Sequence, residues 1–341
     1  MRHHSFRSEE YAGVQQEAGS AIGKIQNEDE LFFKLRKHFD YNVCPFYVPD
    51  RNTALALAHS SMTGPGDLYL CSSTSYVASR GHAAIKNIAG IEPLEVQSEF
   101  GKITPAAISG SLESAGAEDR ERCRVVSISQ PTEYGMIYSP KEISEICRCA
   151  HENGMQVIMD GSRIFFAAAK ILKAFREQTM DAGVDATTFG GEKNGAPEGE
   201  AVLIFKKDAA EKFRENCKKN NTDTSGASAF SSGINRLLTE RLWRYNAIHA
   251  NEMAKKLAEG ISGIPGIKLF CKVETNKVLA EVSPEIFQKL KDNYSLKSFR
   301  CPDQTVRFVT NYKTSESEIE ELTGILRSTE QAEQDDNIHS S

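Results

Sequence analysis

Short apolar runs alternate along this chain with longer segments of helical periodicity. Residues 28–40 and 52–62 read as helices. Around them, Cys44-Pro-Phe-Tyr-Val48 and Asp67-Leu-Tyr-Leu-Cys71 read as short strands. Residues 77–88 read as helical and Pro93-Leu-Glu-Val96 as extended. Thr104-Pro105 predicts a helix over 104–114, with Thr104 as N-cap and proline in the first turn. Cys123-Arg-Val-Val-Ser-Ile-Ser129 reads as a buried strand. A helix over 139–153 follows, opened by the capping box Ser139-Pro-Lys-Glu142 and ended by Gly154. Gln156-Val-Ile-Met-Asp160 is the next strand.

Beyond it, Thr187-Thr-Phe-Gly-Gly191 leads into Lys193, and Ala201-Val-Leu-Ile-Phe205 reads as a strand. A long helical stretch covers roughly 233–261. Strands at 264–270, 277–282 and 306–310 alternate with helices near 284–293 and 316–326. This rhythm predicts an α/β fold, a mostly parallel sheet sandwiched by helices, with a small C-terminal α+β domain. The expected division is a large domain over 1–235 and a small one over 236–328. Residues 329–341, rich in Glu, Gln, Asp and Ser, read as a disordered tail. No internal repeat is visible.

Composition narrows the function classes. The chain has 341 residues, 40% of them hydrophobic, enough for a substantial core. Lys and Arg number 41 against 47 Asp and Glu, a net charge of −6 with no basic stripe, which argues against nucleic acid as a partner. The N-terminal residues lack the apolar core of a signal peptide. The most apolar stretch, Ile164-Phe-Phe-Ala-Ala-Ala-Lys-Ile-Leu172, is too short and interrupted to span a bilayer. Eight cysteines stand at scattered positions without a Cys-x-x-Cys pair. Free thiols in a reducing cytosol are therefore expected, and no metal site. His3-His4 reads as part of a disordered terminus rather than as a metal site.

The candidate chemistry lies on two strand tips. Val157-Ile-Met-Asp-Gly-Ser-Arg163 and Phe189-Gly-Gly-Glu-Lys-Asn-Gly195 share one grammar: an apolar strand ends, and a polar residue follows among small ones. Asp-Gly pairs are usually turns, and Lys-Asn-Gly triplets are usually solvated loops. An Asp and a Lys in this order on two strand tips, however, suit the ligand crevice of an open α/β sheet. Pyridoxal 5'-phosphate (PLP) needs a lysine amine for its aldehyde and a carboxylate for its pyridinium nitrogen.

Longer motifs carry a family resemblance. Pro131-Thr-Glu-Tyr-Gly-Met-Ile-Tyr138, Asp160-Gly-Ser-Arg163, Gly190-Gly-Glu-Lys-Asn-Gly195 with Gly199-Glu-Ala-Val202, Glu274-Thr-Asn276 and Val306-Arg-Phe-Val-Thr310 occur in the order of a known pattern. They resemble the low-specificity L-threonine aldolases, in the β-eliminating lyase group of fold-type-I PLP enzymes. The resemblance implies a lyase that cleaves β-hydroxy-α-amino acids, L-threonine to glycine and acetaldehyde, in a homo-oligomer, usually a tetramer. It implies Lys193 as the residue that joins the cofactor and Asp160 as the partner of the ring nitrogen. Arg163 and Arg307 resemble the substrate-carboxylate arginines, since a guanidinium offers a two-point fork. Each also fits a plain ion pair. Asn276 and Ser8 would assist. Glu133 would orient the ring face or pair with a nearby arginine.

The N-terminal third departs from the family. Relatives hold the cofactor phosphate with glycines at a helix N-terminus. This chain has Val48-Pro-Asp-Arg-Asn-Thr53 there, where Pro49 lacks an amide donor and Asp50 repels a dianion. Arg51, Asn52 and Thr53 are the candidate replacements. The imidazole that relatives stack on the ring is missing from Cys71-Ser-Ser-Thr-Ser-Tyr-Val77, and Tyr76 is the candidate to stack instead. His82 reads as structural. Set against that family, the chain also lacks a few residues before Asn27. Two alternatives to threonine cleavage stay open: another PLP reaction, by β-elimination or amino transfer, and a catalytically impaired member acting as a binding or assembly subunit.

Overall fold

The computed structural model describes residues 6–19, 28–40, 42–222, 227–239, 241–294 and 304–339. His3-His4 and the stretch just before Asn27 lie outside the described residues. The elements run α1 (Gln16–Gly19), α2 (Glu28–His38), β1 (Cys44–Val48), α3 (Arg51–Ser60), β2 (Leu68–Ser72), α4 (His82–Ala89), β3 (Glu92–Val96), α5 (Pro105–Ser114), α6 (Ala117–Arg122), β4 (Cys123–Ser129), α7 (Pro140–Glu152), β5 (Gln156–Asp160) and α8 (Ile164–Ile171). They continue with β6 (Ala186–Gly190), β7 (Glu200–Ile204), α9 (Lys207–Lys219), α10 (Ala227–Thr239), α11 (Leu242–Ile261), β8 (Ile267–Leu269), β9 (Lys277–Val282), α12 (Pro284–Asn293), β10 (Thr305–Val309) and α13 (Glu316–His339).

A seven-stranded sheet has the order β1-β7-β6-β5-β4-β2-β3. Its strands pair in parallel from β3 through β6, while β7 runs antiparallel to both β6 and β1. The continuous apolar runs are explained by burial on both faces. Along β4, Val126 and Ile128 join one core with Ile143 of α7 and Phe165 of α8, while Val125 joins another with Leu55 of α3 and Ile85 of α4. In β5, Val157 and Met159 face the first core and Ile158 the second. A separate antiparallel sheet, β10-β9-β8, packs with α12, α13 and the second half of α11 around Val278, Ala280 and Phe308. The helix α11 serves two cores, with Ala247 and Ala250 in the first and Met253 to Ile261 in this one. No helix among the described residues is long and apolar enough to cross a membrane.

The helix starts follow local chemistry. The Ser139 hydroxyl accepts from the Glu142 amide at 3.2 Å, and the Glu142 carboxylate accepts from the Ser139 amide at 2.8 Å, so α7 has its capping box. Four expectations need correction. The helix expected over 77–88 begins only at His82, because the chain turns to seat the Tyr76 ring against Gly81, where a β-carbon would come within 3.0 Å of that ring. The stretch 233–261 is two helices, broken where Arg241 adopts a left-handed φ of 53°. The strand expected over 264–270 is cut to Ile267–Leu269 by the turn at Pro265-Gly266. The tail read as disordered from 329 carries the end of α13, whose Glu, Gln and Ala are good helix formers.

Candidate active site

The parallel order places the carboxyl ends of β2, β4, β5 and β6 on one edge of the sheet, where α/β proteins bind ligands. β1 ends on the same edge, since Val48 and Gly190 both lie beside Glu200. A cavity of about 680 Å³ opens there, lined by Ser8, Arg51, Asn52, Tyr76, Glu133, Arg163, Lys193 and Arg307 among others. Asp160, Thr53 and Asn276 stand behind this lining and act on it through neighbours.

Lys193 sits on a 3-10 turn, Glu192–Asn194, just past β6. The glycines before it are steric requirements. A β-carbon on Gly190 would collide with the Glu200 carboxylate, and one on Gly191 with Ile234 and Ala196. The turn is pinned from beneath: Asn194 donates to the Trp243 carbonyl at 2.9 Å, and Asn246 donates to the Asn194 carbonyl at 2.9 Å. The Lys193 ammonium pairs with Glu10 and, at 2.9 Å, with Glu192.

Asp160 ends β5 and is 2% exposed. Its Oδ1 accepts from the Ser162 amide at 3.2 Å and lies 3.5 Å from the Thr188 hydroxyl. Its Oδ2 accepts from Arg51, at 3.0 Å from Nε and also from Nη2. Burial alone would raise the carboxyl's pKa. The charge and hydrogen bonds of Arg51 outweigh it and hold Asp160 below its usual range, ionised. The Arg51 guanidinium lies over the Tyr76 ring, 3.7 Å from its centroid, and the Tyr76 hydroxyl donates to Asn52 at 2.8 Å.

The segment expected to hold phosphate is a capped helix start. Asp50 accepts from the Asn52 and Thr53 amides at 2.8 and 3.0 Å and from the Thr53 hydroxyl at 2.7 Å. A carboxylate already fills the place where an anion would meet the first amides of α3. Arg51, expected at the phosphate, is placed instead on Asp160. His82 turns away from the cavity, toward Glu92 at 3.1 Å and Tyr69 at 3.3 Å.

On the opposite wall, Arg163 holds Glu9 in a two-point pair at 2.7 and 3.2 Å. Asn276 donates to the same carboxylate at 3.0 Å. Ser8, beside Glu9, has its hydroxyl 3.5 Å from Glu9 Oε2. Arg307 on β10 and Arg51 both reach Glu133 at 3.5 Å. Burial works against ionisation of Glu133, but Lys277 and the arginines around it force its pKa well below the usual carboxylate range. Glu133 is thus the hub of a cationic ring.

Four participants were missed in the sequence. Glu9 and Glu10 gave no signal beyond a polar N-terminal segment. Lys277 is 1% exposed and donates to the carbonyls of Thr132 and Glu133 at 2.9 and 3.1 Å; burial brings its pKa down to about 7 despite the pull of Glu133. Glu200 is 4% exposed, and burial, with the nearby Asp160 charge, pushes its pKa up to about 8. It is a neutral acid at the pH where Asp160 is a carboxylate. Its only sequence signal was its place in Gly199-Glu-Ala-Val202.

Comparison with known proteins places these features in context. Residues 12–306 match the family model described as β-eliminating lyase. A low-specificity L-threonine aldolase of Pseudomonas sp. (strain NCIMB 10558) is 31% identical, over 94% of this chain and 96% of the relative. A low-specificity L-threonine aldolase of Pseudomonas aeruginosa is 29% identical over the same shares. Among solved structures, the threonine aldolase of Leishmania major superposes with a TM-score of 0.86 at 18% identity, over 96% of this chain and 99% of that one.

Proposed function

The chain belongs to the β-eliminating lyase family, and on that premise we propose that it is a PLP-dependent carbon–carbon lyase cleaving β-hydroxy-α-amino acids, L-threonine to glycine and acetaldehyde. One observation carries the reading. A lysine amine and two arginines on separate elements line one cavity at the carboxyl ends of the parallel strands, and the buried, ionised carboxylate of Asp160 stands behind that lining.

The donor set fits the cofactor at its reactive ends. Lys193 would hold the aldehyde carbon, and Asp160 the proton on the ring nitrogen. Asp160 is held ionised despite burial by the Arg51 cation, whose part a pyridinium N–H would take. Tyr76 offers an aromatic face beside them. Bound PLP supplies an electron sink for the negative charge left at Cα when the Cα–Cβ bond breaks. The chain does the rest. Arg307 would present its guanidinium to the substrate carboxylate, and Arg163, whose Nε and Nη2 are held by Glu9, would reach it only through its remaining edge. Glu133 keeps Arg307 directed into the cavity, and Lys277 fixes the Thr132-Glu133 backbone from below. Glu10 and Glu192 accept hydrogen bonds from Lys193 Nζ and position it at the cavity.

In this reading residues 1–235 form the large unit and 236–328 the small one, which supplies Arg307 and Lys277. The protein works in the cytoplasm as a homo-oligomer, a tetramer by family likeness. The exposed Leu172 and Tyr245, each 69% accessible, are suited to a subunit contact.

The test is direct. Purified protein supplied with PLP should develop visible absorbance from the Lys193–cofactor link and release acetaldehyde and glycine from L-threonine. Absorbance without threonine cleavage would move the reading to another PLP reaction. Absence of both would remove the lyase reading.

A further inference from the structure

Three groups that would meet PLP are already partnered by side chains of this protein. The Lys193 ammonium has Glu10 and Glu192, the first amides of α3 have Asp50, and Asp160 has Arg51. The last pair is the most specific. A pyridinium ring in this site would be a flat cation, stacked on an aromatic face, donating one N–H to Asp160. The Arg51 guanidinium is a flat cation, 3.7 Å from the Tyr76 ring centroid, donating Nε–H to Asp160 Oδ2 at 3.0 Å. The stacking separation leaves no layer between guanidinium and ring. The other carboxylate oxygen is turned to Ser162 and Thr188. The two cations cannot use this slot together.

We propose that Arg51 is the built-in occupant of the pyridine-ring slot, so that PLP binds this chain only by displacing it. The proposal rests on the PLP reading above and deepens it: Arg51 sets cofactor affinity by competition rather than by holding phosphate. Asp50 belongs to the same device. By capping α3 it fixes the first residue of that helix, Arg51, in position to reach Asp160.

The sign of one substitution decides. Full-length protein freed of cofactor is titrated with PLP by equilibrium dialysis and by absorbance, and its thermal unfolding is followed with and without PLP. Arg51→Ala should bind PLP about 10- to 100-fold more tightly than the parent, the scale of a lost charge-assisted hydrogen bond. Its cofactor-free form should melt below the parent, because Asp160 is left buried without its cation. PLP should therefore raise its melting temperature more than the parent's. Methylguanidinium should compete with PLP in Arg51→Ala and restore the weaker binding. If Arg51→Ala fails to fold, Arg51→Lys, which keeps the charge but loses the flat two-point donor, should show tightening of smaller size. Unchanged or weaker PLP binding in a folded variant, with the parent still binding, overturns the plug and leaves the PLP reading in place. If parent and variants are all folded and none binds at millimolar PLP, the PLP reading itself falls, and the plug with it.

Discussion

Glu9 and Arg163, 154 positions apart in sequence, form a two-point ion pair with both side chains buried against the cavity wall. The Arg163 charge drives the Glu9 pKa far down against the upward push of burial. Removing one partner of a buried pair leaves the other charge uncompensated, at about 3–5 kcal/mol. Glu9→Ala should lose stability on that scale in urea unfolding. Adding Arg163→Ala should cost much less than the sum of the two single changes. Additive losses would mean that the pair is not coupled.

Lys193 should carry the cofactor. Borohydride reduction of the PLP-loaded protein, followed by peptide mapping, should place the pyridoxyl group on Lys193. Labelling of a different lysine, for instance the buried Lys277, would overturn this assignment.

Asp160 should act through charge. Asp160→Asn preserves shape and keeps an acceptor for Arg51 but loses the carboxylate. Turnover should fall by about 100-fold or more, the scale of a lost preorganised electrostatic partner, in a protein whose circular dichroism is unchanged. Near-parental turnover in the folded variant contradicts the role.

Glu200 should make the fold sensitive to alkali. Its pKa rises from an ordinary 4.5 to about 8 on folding. The associated stability is fully present below about 4.5 and is lost as pH rises through about 8. The parent's melting temperature should therefore fall between pH 5 and 9, and Glu200→Gln should flatten that fall. An identical pH slope in parent and variant would count against a neutral Glu200.

Much of the site was legible because its signals are local. Asp160 and Lys193 each follow an apolar strand and precede small residues. The capping box of α7 lies within four consecutive residues. Asp50 also gave a local signal, an aspartate directly before a helix, but its N-cap role was hidden behind its unsuitability for phosphate. The break at Arg241 was not legible, since the residues around it are all compatible with a helix. Nor was the turn that seats Tyr76 against Gly81.

The sequence by itself determined the α/β layering, the order of strands and helices, and the lysine and aspartate at two strand tips. Periodicity, capping and glycine punctuation act over a few residues and need no partner. The tertiary structure alone decided which charges meet: Arg51 with Asp160, Glu9 with Arg163, and Lys277 under Glu133. These pairs span more than a hundred residues. Their distances depend on the strand order of the sheet and on the small C-terminal sheet facing its edge, and their energies depend on burial that no single segment encodes.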